Sequence, residues 1–182
     1  NKLAPLDWQE IAKFIPSKND YFRESSYESI HGVMHSLRVL VFAGLLSNSN
    51  NLSKKSTLAV LEAAKHHDTC RLNDKKDSGH GKRASEKVKD TLTKKIIAEH
   101  DSNNVPEIIE LKIFRMADAL DRFRLPSEHW FPKPEFLDDY SKSLIETAKY
   151  FVCKSEKLFI SGVPPEIAVK RTAVELGLVK NA

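Results

Sequence analysis

Cysteine is scarce in this chain: 182 residues hold only Cys70 and Cys153. They form no CxxC pair and no framework, which excludes a disulfide-stapled secreted scaffold and leads us to expect a reduced, cytoplasmic protein. Cys70 is expected to pack rather than react. Long apolar runs are also missing. The longest, Val39 to Leu46, is broken by Gly44 and falls far short of the roughly 20 residues a membrane-spanning helix needs. The first twenty residues carry no apolar h-region and no small-residue cleavage site, so they do not read as a signal peptide. Because the chain opens on Asn, a segment before it is left open. Sustained strand-like alternation is absent, and so is any internal repeat.

What is present fits a folded globular chain. Hydrophobic residues make up 41% and charged residues 30%, the usual balance of a domain with its own core. The length fits a single domain over 1–182. The net charge of +4 is mild but unevenly spread. Between Arg71 and Lys95 stand nine basic residues against four acidic ones. Such a run is either a solvated helix face or a positive rim that draws in an anionic substrate.

The apolar periodicity is helical nearly throughout. Val33, Leu37, Val41 and Leu45 repeat every four residues, which predicts an amphipathic helix over roughly 27–47, ended by the polar loop Ser47 to Asn51. Ser53 reads as the N-cap of a second helix that runs to His67-Asp68. The segment Asp74 to Gly81 reads as a charged loop. Helices are predicted over 82–93 and 94–101, and another starts at Pro106 and carries Ile108, Leu111, Phe114 and Asp118. Residues 125–134 read as an irregular excursion, and two further helices lie near 136–160 and 165–176, split by Gly162-Val163-Pro164-Pro165. The expectation is an all-α domain of six to eight helices.

The chemistry concentrates in histidine and aspartate. His35, the doublet His67-Asp68, His80, His100 and Asp118 follow one another on separate predicted helices. Imidazole and carboxylate are the ligands a hard-to-borderline divalent cation takes, and helix bundles build metal sites from facing side chains of this kind. Residues three or four apart share a helix face, which groups His31 with His35 and Arg38, and Asp118 with Asp121 and Arg122.

The strings His35-Ser36-Leu37-Arg38-Val39, Ala64 to Arg71 around His67-Asp68, His80-Gly81, Ile96 to His100 and Met116 to Arg122 resemble the HD superfamily of metal-dependent phosphohydrolases. The resemblance covers about 27–125, with 126–182 expected to complete the domain as a helical C-terminal part. It implies an HD-domain-like helical bundle in which His35, His67, Asp68 and Asp118 bind metal. The additional His80 and His100 resemble the binuclear branch, where a second metal is held and Asp68 bridges. His66 and His129 are not expected to ligate.

The resemblance implies a hydrolase acting on a phosphate ester, mono- or diester, of a nucleotide or other small phosphorylated metabolite. Its cofactor would be one or two divalent transition-metal ions, Fe or Mn foremost, with Co, Ni or Mg as further options. Besides the bridging Asp68, expected roles are leaving-group protonation by His31, orientation of a ligand histidine by Asp121, and phosphate binding by Arg38, Lys82 and Arg122. Two alternatives share these residues: a di-iron oxygenase of the HD type and a non-catalytic nucleotide-sensing module. Membrane partners are not expected, and nucleic acid is disfavoured because no aromatics interleave the lysines.

Overall fold

A computed structural model describes residues 4–130 and 138–180. The chain folds as a mostly helical bundle with a single two-stranded parallel contact, β1 (Leu6–Asp7) with β2 (Val179–Lys180), which ties the two ends of the described chain together. Two-residue strands are too short to show a period of two, so the sequence gives no sign of them.

Nine α-helices occur among the described residues. Six of them are long: α2 (Val33–Ser49), α3 (Lys54–His66), α5 (Thr91–Glu99), α6 (Ile109–Leu120), α8 (Ile145–Ile160) and α9 (Pro165–Glu175). The count exceeds the expected six to eight through three short pieces, α1 (Trp8–Ala12), α4 (His80–Ser85) and α7 (Asp139–Ser143). No helix among the described residues is long and apolar enough to cross a membrane.

Helix α2 is the axis of the bundle. Every residue from Val33 to Ser47 is buried, including His35 and Arg38, because α3, α6 and α9 pack around it. Its start differs from expectation. Gly32 is the N-cap in an extended conformation, and a β-carbon there would lie 2.1 Å from the Tyr27 carbonyl oxygen. The chain turns sharply at that point, so His31 precedes the helix instead of lying within it. The helix ends at Ser49, and Asn51 adopts the left-handed conformation just beyond it.

Ser53 caps α3 as expected, accepting a hydrogen bond from the Ser56 N–H, and His67 is the residue at which that helix stops. The boundary between α4 and α5 falls earlier than predicted. Asp90 accepts from the Thr93 N–H and starts α5 at Thr91, a capping signal that outweighs the helical periodicity running across it. Of the predicted 125–134 excursion, Ser127–His129 forms a 3₁₀ turn; residues 131–134, and the start of the helix predicted near 136, lie outside the described residues. One hydrophobic core runs from Leu6 to Val179 and includes Cys70.

Candidate metal centre

Five separate pieces of chain converge on one point. Helix α2 supplies His35, the turn after α3 supplies His67 and Asp68, and the first residue of α4 is His80. His100 follows the last residue of α5, and Asp118 stands on α6. The four imidazoles are buried, as is Asp68, whereas the side chain of Asp118 keeps 23% of its surface exposed. Phe114 lies beneath them, edge-on to His67 at 5.1 Å and to His100 at 5.9 Å between ring centres.

The histidines share one hydrogen-bonding plan. His35 Nδ1 donates to Asp121 Oδ2 (2.7 Å), His67 Nδ1 to the Ala64 carbonyl (3.1 Å) and His100 Nδ1 to the Ile97 carbonyl (2.7 Å). His80 Nδ1 likewise donates to the Asp77 carbonyl. With every Nδ1 so engaged, the four Nε2 lone pairs are left for the centre, which is how metal-ligating histidines are held. His35 and His67 bring their Nε2 atoms to 2.9 Å of each other, and His80 and His100 do the same at 2.9 Å. Two nitrogens at a right angle and each about 2.0–2.1 Å from one cation would stand about 2.9 Å apart. The donor set therefore fits metal: His35, His67 and Asp118 form one group, Asp68, His80 and His100 another, and His31 with His35 and Asp68 a third that shares a residue with each.

Asp68 joins the groups. Its Oδ2 lies 3.4 Å from His35 Nε2 and 3.6 Å from His67 Nε2, while its Oδ1 lies 3.0 Å from His80 Nε2 and 3.9 Å from His100 Nε2. Each carboxylate oxygen thus faces a different pair of imidazoles. Burial alone would raise the Asp68 carboxyl, but the surrounding imidazoles of His67, His31, His35 and His80 hold it well below the usual range. Burial pushes His67 down to about 3 and lowers His100. These two imidazoles are consequently neutral at pH 7, the form that can ligate.

Asp121 is fully buried and receives more than His35. Arg38 Nε donates to its Oδ1 and Arg124 Nη1 to its Oδ2 at 3.2 Å. Arg38 in turn donates to Glu156 on α8 at 2.7 Å. The chain His35–Asp121–Arg38–Glu156 anchors His35 to α8. Asp121 therefore orients a candidate ligand as expected. Arg38, in contrast, has no exposed surface, so the phosphate-binding role expected of it is corrected to one of support.

The remaining expectations divide. A cleft of about 610 Å³ opens over the cluster, and Arg71, Lys76, Arg122, Arg124 and His129 border it. Arg122, expected to bind phosphate, is among the residues that border it. Lys82 is exposed on α4 and does not border the cleft, which corrects its expected role to that of a solvated side chain. Only Arg71 and Lys76 of the nine basic residues between 71 and 95 line the opening.

His31 Nδ1 donates to Asp68 Oδ2 at 2.9 Å, and burial lowers its pKa. A neutral imidazole whose proton is already given to a carboxylate is a poor proton donor to a leaving group, so His31 is placed to orient Asp68. His66 is held by Glu62 at 3.1 Å, away from the centre, as expected. Sequence reasoning took Arg71 and Lys76 only as part of the basic run and passed over Arg124 and Glu156. Arg71 and Arg124 stand three residues beyond Asp68 and Asp121, a spacing that could have flagged them; nothing marks Glu156.

The chain matches no protein-family model, no curated protein and no solved structure at a significant level.

Proposed function

We propose that the protein is a metal-dependent phosphohydrolase of the HD type, cleaving a phosphate ester of a nucleotide or another small phosphorylated metabolite. The observation that carries this reading is Asp68, whose two carboxylate oxygens face two separate imidazole pairs. A pair of divalent cations, when bound, supplies a water of lowered pKa and draws charge off a phosphoryl oxygen. His35, His67 and Asp118 would hold one cation, His80 and His100 the other, and Asp68 both. Four imidazoles with two carboxylates suit Fe or Mn better than Mg.

The residues around the cluster support an anionic substrate. Arg122, Arg124 and Lys76 border the cleft, and a positive rim over a low-dielectric floor concentrates anions. Asp118 is the most exposed of the candidate ligands, which puts the accessible side of the cluster under that rim. Asp121 holds the His35 ring from behind, and His31 holds the Asp68 carboxylate from the cleft side.

The test is metal content together with turnover of an aryl phosphomonoester and a bis-aryl phosphodiester. Two transition-metal equivalents are expected in the purified protein, and one would confine the site to His35, His67, Asp68 and Asp118. Turnover is expected to vanish on chelation, return with Mn²⁺ or Fe²⁺, and fail in His67→Ala and Asp68→Ala. Undiminished turnover by metal-free protein would overturn the proposal. Substrate-dependent oxygen uptake without phosphate release would replace it with the oxygenase reading.

A further inference from the structure

Arg71 shares its contacts with the outer half of the candidate centre. Its Nη1 lies 3.4 Å from Asp68 Oδ1 and 3.3 Å from His80 Nε2. Asp68 and His80 are two of the three residues of the Asp68, His80 and His100 group. The guanidinium is fixed there from behind, since Nη2 donates to the Lys75 carbonyl at 2.8 Å and Nε to the Asn73 carbonyl at 3.4 Å. Its side chain is only 12% exposed, yet it borders the cleft.

A guanidinium accepts no hydrogen bond and does not lose its proton in a protein. It therefore cannot serve the outer group as a ligand. A cation within bonding distance of Asp68 Oδ1 and His80 Nε2 meets a like charge a few ångströms away, partly shielded from water. The inner group has no guanidinium that close to its facing nitrogens, although the charge of Arg124 also acts on His35 and those of Arg124 and Arg122 on Asp118. Among the described residues, no arginine or lysine nitrogen comes within hydrogen-bond distance of the facing nitrogens of His35 and His67. Arg38 and Arg124 reach this side only through Asp121 and His31.

The geometry points to Arg71 as the residue that makes the two cation positions unequal and couples the outer one to an anion. The inner position, under His35, His67 and Asp118, fills first. The outer position stays weak while Arg71 faces Asp68 and His80. A phosphate at the cleft floor reverses this, because one oxyanion meets both the outer cation and the Nη1 N–H of Arg71. Outer cation and phosphate then bind cooperatively, each strengthening the other by the same factor. This inference rests on the two-cation phosphate site proposed above and adds the order of loading.

The test is titration of metal-stripped protein with Mn²⁺, with and without inorganic phosphate, read by calorimetry and by the paramagnetic resonance of free Mn²⁺. Wild type is expected to bind one strong equivalent and a second at least about tenfold weaker, with phosphate tightening the second alone. Arg71→Gln should tighten the second equivalent about tenfold in phosphate-free buffer, leave the first unchanged, and lose the tightening by phosphate. Arg71→Lys keeps the charge and should keep the inequality. Two equal equivalents in wild type, or a second equivalent unchanged or weakened in Arg71→Gln, overturn the role of Arg71 and leave the proposed function standing. A second equivalent weakened in both variants marks Arg71 as an anchor of the 73–75 turn and overturns the role as well. Failure to bind Mn²⁺ at all overturns the inference and the two-cation reading together.

Discussion

Asp121 holds His35 from behind. The imidazole Nδ1 donates to the carboxylate at 2.7 Å, and the acceptor has no exposed surface. The other oxygen of the same carboxylate takes the buried Arg38. One side chain thus fixes the tautomer of a candidate ligand and neutralises an interior guanidinium, so its removal carries two separable consequences.

In Asp121→Asn, affinity for the first Mn²⁺ equivalent is expected to fall about ten- to hundredfold, the usual effect of losing a partner that orients a ligand histidine. Global stability in chelator should drop by about 3 kcal/mol, because Arg38 stays buried with a weakened partner. Metal titration and denaturant unfolding read the two effects independently. Unchanged metal affinity would remove Asp121 from the support of the centre.

Gly81 packs against His100. A β-carbon there would stand 2.6 Å from the Ile97 carbonyl oxygen and 2.9 Å from His100 Nδ1. Gly81→Ala must therefore push α4 away from the end of α5, at a cost of about 1–3 kcal/mol. Bound metal is expected to fall from two equivalents to one, read by elemental analysis. Retention of both at full strength would show that the close approach is not needed for the outer group.

Arg115 on α6 closes the segment that follows His100. It donates to the carbonyls of Glu99 and Asn104 and to the Ser102 hydroxyl. Arg115→Ala strands these acceptors and should lower stability by about 1–3 kcal/mol. It should also weaken the second Mn²⁺ equivalent while sparing the first. Equal weakening of both would point to general loosening of the bundle.

Asp77 links the loop before α4 to that helix, accepting from Arg83 and from the Leu72 N–H. Burial would raise its carboxyl, but Arg83 and the Leu72 and Gly79 N–H groups hold it at about 2, below the ordinary 3.8. Between those values the unfolded chain binds the proton more readily, so the stabilisation is full above 3.8 and fades as pH falls toward 2. Arg83 is over a third exposed, which limits the effect to roughly 1 kcal/mol. The stability difference between wild type and Asp77→Asn, measured in chelator, should be near that size at pH 6 and close by pH 2. A difference independent of pH would exclude the ion pair as its source.

Much of the bundle is legible in the sequence because helical periodicity and caps are local. Leu37, Val41 and Leu45 mark α2 as a helix, although it is buried on every side from Val33 to Ser47 rather than amphipathic, and Ser53 sets the start of α3 within one residue. Where a local signal competes with another, the reading slips. Gly32 cuts α2 short at its start, and Asp90 moves the start of α5. The strand pairing of Leu6 with Val179 has no local signature at all.

The donor set was also written in the sequence. His35, His67, Asp68, His80, His100 and Asp118 are the right residue types in an order that separate helices can bring together, and those types limit the chemistry to imidazole and carboxylate ligation. What only the tertiary structure decided is the direction of each long or bifunctional side chain. Arg38 turns inward to a residue 83 positions away, and His35 finds its carboxylate 86 positions away. Asp68 turns one oxygen to each imidazole pair, and Arg71 shares the outer one. Periodicity assigns a residue to a face of its own helix. Which group meets it there depends on how distant helices pack, and that packing is set by the whole core at once.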